Sequence, residues 1–321
     1  MHPFAPFIQI LGKGRHGSRS LTQDEAREAM GMILDGVAAP EQIGAFLMLI
    51  RVREETPEEA AGFVQAVRQR IALPQGLSAP AIDWGSYAGK RRHLPWFLLA
   101  ARVLARRGLS VLMHGTEGES ADRLYTRRAL GALDIPVAGS VSEAADQLAS
   151  SHFAFLPLET FAPGLKRLMQ LRELLGLRSP VHSVARMLNP LGAPLSVHGI
   201  FHRGYETIHQ KAACLLAEPA VVVFKGEGGE AEINPEMLTE VFVTQGAVAA
   251  AFDGPPLLMR RQIKPERLDV VHLAAVWEGD VQDIYGEAAV ISTLAVLLRA
   301  LGRADRRDQS VALARAWWAE R

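Results

Sequence analysis

From residue 22 onward, apolar positions recur every three or four residues, and three helices follow in close succession. Thr22 with Glu25 three positions later forms a capping box with acids in the first turn. It predicts a helix over 22–34 that stops near Asp35-Gly36. Pro40-Glu41-Gln42 opens a second helix, in which Ile43, Phe46, Leu47 and Ile50 mark one apolar face over 42–53. Thr56-Pro57-Glu58-Glu59 is a second capping box with proline at the first helical position, and its helix continues to about Arg70. Three short-linked amphipathic helices make a bundle whose outer apolar faces need a partner.

Residues 71–80 read as a linker, and the pattern beyond them changes to alternating strands and helices. Strands are predicted over 79–84, 109–113, 153–155, 197–201 and 220–224. Helices are predicted over 95–107, 121–130, 164–175 and 205–217, with a helical tail over 286–299 and 305–319. Positions 232–280 show no clear period. Strands alternating with helices argue for a largely parallel sheet covered on both faces. The expected architecture is a small helical domain over 1–70 and a larger α/β domain over 71–321, with some residues of the larger domain joining the bundle.

Composition narrows the class. Of 321 residues, 49% are hydrophobic and 22% charged, which excludes a disordered or collagenous chain. The longest apolar run, Ala288 to Leu298, is far short of the roughly 20 residues a membrane span needs. The N-terminus lacks the basic-then-apolar order of a secretory leader. The single cysteine, Cys214, excludes an internal disulfide, and its apolar helix suggests an inert core position. A reducing, cytoplasmic setting is expected. Formal net charge is zero, but 16 Lys/Arg stand against 9 Asp/Glu between Gly85 and Leu215, a local excess of +7. A neutral protein with a basic middle can focus positive potential in a cleft.

In an open α/β sheet, ligands bind beyond the carboxyl ends of the strands. The loop Gly85-Ser86-Tyr87-Ala88-Gly89-Lys90-Arg91-Arg92 offers glycines for backbone approach to an anion, followed by cations. His114-Gly115 follows the second strand, with His114 a candidate hydrogen-bond donor to a phosphate. Lys166, Arg167, Arg172, Arg178, His182 and Arg186 lie in or after the helix over 164–175. Arginine there suits bidentate binding of phosphate or carboxylate. Lys225-Gly226 begins a loop whose Glu230 and Glu232 are separated by Ala231, a weak arrangement for magnesium. Neither a P-loop nor a G-x-G-x-x-G signature is present.

The stretch from Leu21 to Arg68, with Leu188-Asn189-Pro190-Leu191-Gly192, His114-Gly115 and Leu175-Gly176-Leu177-Arg178, resembles anthranilate phosphoribosyltransferase. More widely it is similar to glycosyltransferase family 3, which includes the pyrimidine nucleoside phosphorylases. The resemblance implies the nucleoside phosphorylase/phosphoribosyltransferase-like fold and a homodimer formed through the helical domain. It also shows where the chain departs from the enzymes. Their Gly-Thr-Gly-Gly-Asp-Gly loop reads Gly85-Ser86-Tyr87-Ala88-Gly89-Lys90, and their Asn-Ile-Ser-Thr reads Pro95-Trp96-Phe97-Leu98. Their Lys-His-Gly-Asn reads Met113-His114-Gly115-Thr116, and the aspartate of their magnesium-binding Asp-Glu pair is Ala231. These changes, with the Lys13-Gly14-Arg15-His16 arm and the Gly-Lys-Arg-Arg loop, resemble the YbiB-type branch, whose members are homodimeric nucleic-acid-binding proteins.

The resulting expectation is non-sequence-specific DNA or RNA binding by a catalytically inactive phosphoribosyltransferase homologue, without a cofactor, resident metal or membrane. Phosphates would be neutralised by Lys13, Arg15, Arg19, Lys90, Arg91, Arg92, Lys166, Arg167, Arg172, Arg178, Arg203 and Lys211. A discrete anion site would use Gly85, Gly89, Lys90, His114, Gly115 and Lys225. The alternative is a magnesium-dependent phosphoribosyltransferase with a changed acceptor.

Overall fold

The computed structural model describes residues 1–14, 16–118 and 120–321. Four helices open the chain: α1 (Ala5–Gly12), α2 (Gln23–Leu34), α3 (Pro40–Arg53) and α4 (Pro57–Arg68). Both capping boxes form. The Thr22 hydroxyl accepts from the Glu25 N–H and the Thr56 hydroxyl from the Glu59 N–H, while each glutamate reaches back to its cap backbone. Helices α2 and α4 cross at Gly62, where an added Cβ would lie 2.3 Å from the Gln23 carbonyl oxygen. Gly62→Ala should therefore cost about 2–3 kcal/mol, seen as a lower urea midpoint, because neither backbone can yield without losing its packing.

The sheet elements follow as β1 (Ile82–Ser86), α5 (Phe97–Arg106), β2 (Val111–Gly115), α6 (Thr126–Leu130), α7 (Val141–Ser151) and β3 (Phe153–Pro157). Next come α8 (Leu158–Phe161), α9 (Pro163–Gln170), α10 (Arg172–Leu175), α11 (Val181–Arg186), β4 (Leu195–Ile200), α12 (Tyr205–Leu215) and β5 (Ala220–Lys225). The chain ends with β6 (Thr239–Gln245), β7 (Val248–Gly254), α13 (Val270–Glu278), α14 (Ile284–Ala300) and α15 (Arg307–Ala319). The strand order is β3-β2-β1-β4-β5-β6-β7. The first five strands are mutually parallel, and β6 and β7 add an antiparallel hairpin at one edge. This is the helical domain plus α/β domain with a largely parallel sheet that the pattern implied.

Two cores sandwich the sheet. One joins α5, α13, α14 and α15 to one face through Trp84, Phe97, Met113, Phe224 and Leu294. The other runs from Phe4, Phe46 and Phe63 in the bundle to Leu112, Leu156, Leu165 and Val184. Residues of α9, α11 and α12 thus share a core with the N-terminal bundle. No helix among the described residues is long and apolar enough to cross a membrane.

Several boundaries differ from the sequence pattern. The first two strands start two or three residues late; at β1 the cause is Pro80, which cannot donate to a ladder ahead of Ile82. The helix expected over 121–130 shortens to α6, because Leu124 pairs its backbone with Lys90 at 2.8 and 2.7 Å instead. The helix over 164–175 breaks into α9 and α10. The unperiodic 232–280 segment contains the hairpin and α13, and Cys214 is exposed rather than part of the core.

Candidate functional site: a self-filled cradle beside a basic trough

The parallel strands end on a common edge, where the loops after β1, β2 and β5 meet. Three glycines make that meeting close. A Cβ on Gly226 would lie 1.5 Å from the Glu230 carbonyl oxygen, and one on Gly199 would lie 2.4 Å from the Ala231 nitrogen. A Cβ on Gly115 would lie 2.2 Å from the Ser86 carbonyl oxygen. The 226–232 loop can therefore fold down against the loop after β1.

What it brings there is a carboxylate. The Ala88 and Gly89 N–H groups donate to Glu230 Oε1 at 2.7 and 2.5 Å, and Gly89 adopts a φ of +71° that glycine tolerates. Glu230 is buried, and its Oε2 has no hydrogen-bond partner among the described residues. The backbone amides that a glycine loop could offer to a phosphate are thus already occupied by the chain's own anion.

Beside it, the Lys90 ammonium is fully buried and lies 2.5 Å from Glu227 Oε2 and 2.5 Å from Glu232 Oε1. The other Glu232 oxygen accepts from the Phe97 N–H at the start of α5, at 2.8 Å. Burial alone would drive Lys90 down, but the two carboxylates overrule it and hold the ammonium charged. Burial likewise pushes Glu227 up, and Lys90 reverses that to a net lowering. Glu232 is pushed up by burial against the pull of Lys90.

These residues do not fit a divalent cation of the kind the phosphoribosyltransferases use. A +1 group stands between the two carboxylates, and no group of three or more candidate metal ligands exists among the described residues.

Several predicted site residues are therefore corrected. Lys90 cannot contact a nucleic acid or a free phosphate, because it is buried in the ion pairs just described. His114 is also fully buried, with Nδ1 2.6 Å from the Tyr87 hydroxyl and Nε2 3.3 Å from Asp83 Oδ2. Gly85 and Gly115 are buried against Arg186 and Ser86, and the amide of Gly89 is taken by Glu230.

The remaining cations lie mainly along a trough outside this plug. Arg91, Arg92, Arg123, Arg203 and Lys225 line a cavity of about 330 Å³ that also holds Glu206, Glu227 and Glu240. Phe201, 46% exposed, borders both this cavity and a second of about 110 Å³ lined by Arg51, Arg178 and Arg186. Arg178 and His182 connect the second to a third, where Lys166 and Arg172 approach. Among the described residues, Arg51, Arg92, Arg123, Lys166, Arg172, Arg178, Arg186, Arg203 and Lys225 make no ion pair.

Arg178 registers that imbalance. Burial, and then the charges of Arg186, Arg172 and Arg123, pull it down to about 10. His182 is held down to about 3 by burial and by the nearby charges of Arg178, Arg186 and Arg172.

Lys13, Arg19, Arg167 and Lys211 are exposed but line none of these cavities, and Arg19 is paired with Glu25 at 2.6 Å. Arg91 is paired with Asp122 at 2.9 Å. Arg15 lies outside the described residues. Sequence reasoning missed Arg51, Arg123 and the plugging role of Glu230. Arg51 sits on a bundle helix, and Arg123 in a stretch expected to be helical. Arg123 instead donates to the Ala88 and Gly89 carbonyls at 3.0 Å each.

Known proteins place this arrangement in a lineage. Residues 6–71 match the helical bundle domain of a glycosyl transferase family. The chain is 31% identical to the anthranilate phosphoribosyltransferase of Syntrophobacter fumaroxidans, over 77% of this chain and 74% of that one. It is also 31% identical to that of Erythrobacter litoralis over 67% of this chain, an alignment spanning 64% of the relative's length. With the uncharacterized protein YbiB of Escherichia coli it shares 25% identity over 74% of this chain and 75% of that one. The crystal structure of anthranilate phosphoribosyltransferase from Thermus thermophilus superposes with a TM-score of 0.78 at 24% identity. The superposition covers 99% of this chain and 95% of that one.

Proposed function

This chain belongs to the glycosyltransferase family of the anthranilate phosphoribosyltransferases, and from that premise we propose that it binds polymeric phosphate, DNA or RNA, without base specificity and without phosphoribosyl transfer. The observation that carries this reading is the cluster of arginines around Arg178. Among the described residues they share their cavity with a single carboxylate, Glu55, and Arg178 is pulled down by burial and then by Arg186, Arg172 and Arg123. Such a cluster is repulsive until an anion enters it, and a chain of phosphates neutralises several of its members together. The filled cradle supports the second half of the reading. A sugar-pyrophosphate donor would have to expel Glu230 from two amides, and its magnesium would have to displace Lys90. A homodimer is part of the proposal, because two troughs on one particle raise the affinity for a long polyanion through effective concentration.

Fluorescence anisotropy with a labelled oligonucleotide tests this. If six or more phosphates are neutralised, affinity falls by roughly a thousandfold or more between about 50 and about 200 mM salt. Weak binding with a flat salt response would defeat the reading.

Phosphoribosyl transfer to a changed acceptor is the second reading. It is favoured by the identity to the Syntrophobacter enzyme across three quarters of that chain. It requires pyrophosphate release when the protein is incubated with phosphoribosyl pyrophosphate, magnesium and anthranilate or a related acceptor, and the self-filled cradle predicts none.

A further inference from the structure

We propose that the Lys90 ammonium is a built-in substitute for a divalent cation, so that the native protein is blind to magnesium and manganese while a metal site lies latent beneath the lysine. Three observations converge. The ammonium is fully buried and bridges Glu227 and Glu232 at 2.5 Å each, the arrangement a small hard cation would make with the same two carboxylates. The second Glu232 oxygen is fixed by the Phe97 N–H at 2.8 Å, so the carboxylate is held in place by the start of α5 independently of the lysine. The lysine itself is anchored. Its backbone exchanges two hydrogen bonds with Leu124, at 2.8 and 2.7 Å, and the preceding residue holds Glu230 through its N–H. The lysine's main chain is therefore fixed next to the plug, and its ammonium is held there by the two carboxylates.

The chain thus carries its own cation in Lys90 and its own anion in Glu230, set side by side. In water a divalent ion exchanges freely, whereas a tethered ammonium cannot leave. The loop geometry is therefore maintained at any metal concentration. This inference concerns the plug alone and stands whether or not the trough binds nucleic acid.

Manganese is the probe, through its electron paramagnetic resonance signal and through thermal unfolding. The native protein should bind no Mn²⁺ at this site up to about 1 mM, and its Tm should move by less than about 1 °C relative to sodium chloride of equal ionic strength. Lys90→Ala leaves two buried carboxylates without a counter-ion, so its Tm should fall by about 10 °C. Mn²⁺ at about 1 mM should then restore about half of that loss or more, with one bound ion per chain, where sodium chloride does not. If Lys90→Ala is insoluble, Lys90→Gln replaces it with the same readouts, since its neutral amide fills the space while leaving the carboxylate charge uncompensated.

Stoichiometric, sub-millimolar Mn²⁺ binding by the native protein would overturn the inference. So would a soluble Lys90 variant whose Tm responds to Mn²⁺ no more than to sodium chloride. Neither result bears on oligonucleotide binding, so failure here is distinguishable from failure of the trough reading.

Discussion

Arg172→Glu combined with Arg178→Glu should lower the affinity for a labelled oligonucleotide by about a hundredfold or more at moderate salt and reduce the steepness of the salt dependence by about two counter-ions. The same double variant should unfold at the same temperature as the native protein or above it. The two expectations come from one fact. Arg178 is pulled down to about 10 by burial and by its arginine neighbours, and neither it nor Arg172 has a carboxylate partner among the described residues. Reversing their charge breaks no ion pair in the folded state and places anions beside Arg186 and Arg123, where they are attracted. Residues kept at a cost to the fold are expected where binding needs them. Anisotropy over a salt series and calorimetric unfolding read the two effects. A variant that binds as tightly as the native protein would show that the phosphate path lies elsewhere.

The second large effect is in acid. His198 and His209 face each other in the interior with their Nδ1 atoms 3.0 Å apart, which in the neutral pair lets one donate to the other. Burial, and then Arg186, hold His209 down to about 3. Burial holds His198 well below its ordinary value, with His209, His114, Arg68 and Arg186 adding to the effect. A histidine lowered in the folded state takes up its proton first in the unfolded chain. Its contribution is therefore intact above about pH 6.5 and is lost as pH falls through the range from about 6.5 to about 3. At about pH 4.5, His209 alone should cost roughly 2–3 kcal/mol. Unfolding temperature should drop steeply between about pH 6.5 and about pH 4.5. His209→Gln, which keeps a hydrogen-bonding partner for His198 but does not titrate, should flatten that slope. An unchanged slope in the variant would exclude this pair as the source.

The parts of the molecule readable from sequence are those set by near neighbours. Thr22 with Glu25 and Thr56 with Glu59 announce α2 and α4, because a capping box closes within three residues. The buried parallel strands are legible as short apolar runs between helices. The β6–β7 hairpin is not, since Val248–Gly254 has three alanines in a row, is largely exposed and carries little alternation. The basic trough is partly legible as an excess of arginine in the middle of the chain, and Arg172, Arg178, Arg203 and Lys225 all line its cavities. The plug was not legible. Lys90 reads as one more surface cation in Lys90-Arg91-Arg92 until its partners, Glu227 and Glu232, arrive from more than a hundred residues away. The same distance hid Glu230, whose carboxylate turns a recognisable glycine loop into a closed one.

The most direct test of the account is a calorimetric titration of the native protein, first with phosphoribosyl pyrophosphate and magnesium, then with an oligonucleotide in the same cell. A cradle filled by Glu230 and Lys90 should give no heat beyond dilution from the first ligand up to about 1 mM, and the trough an unaltered, salt-sensitive isotherm from the second. One-to-one binding of the sugar pyrophosphate at micromolar concentration, with magnesium required, would mean that Glu230 and Lys90 give way to it, and would contradict the account.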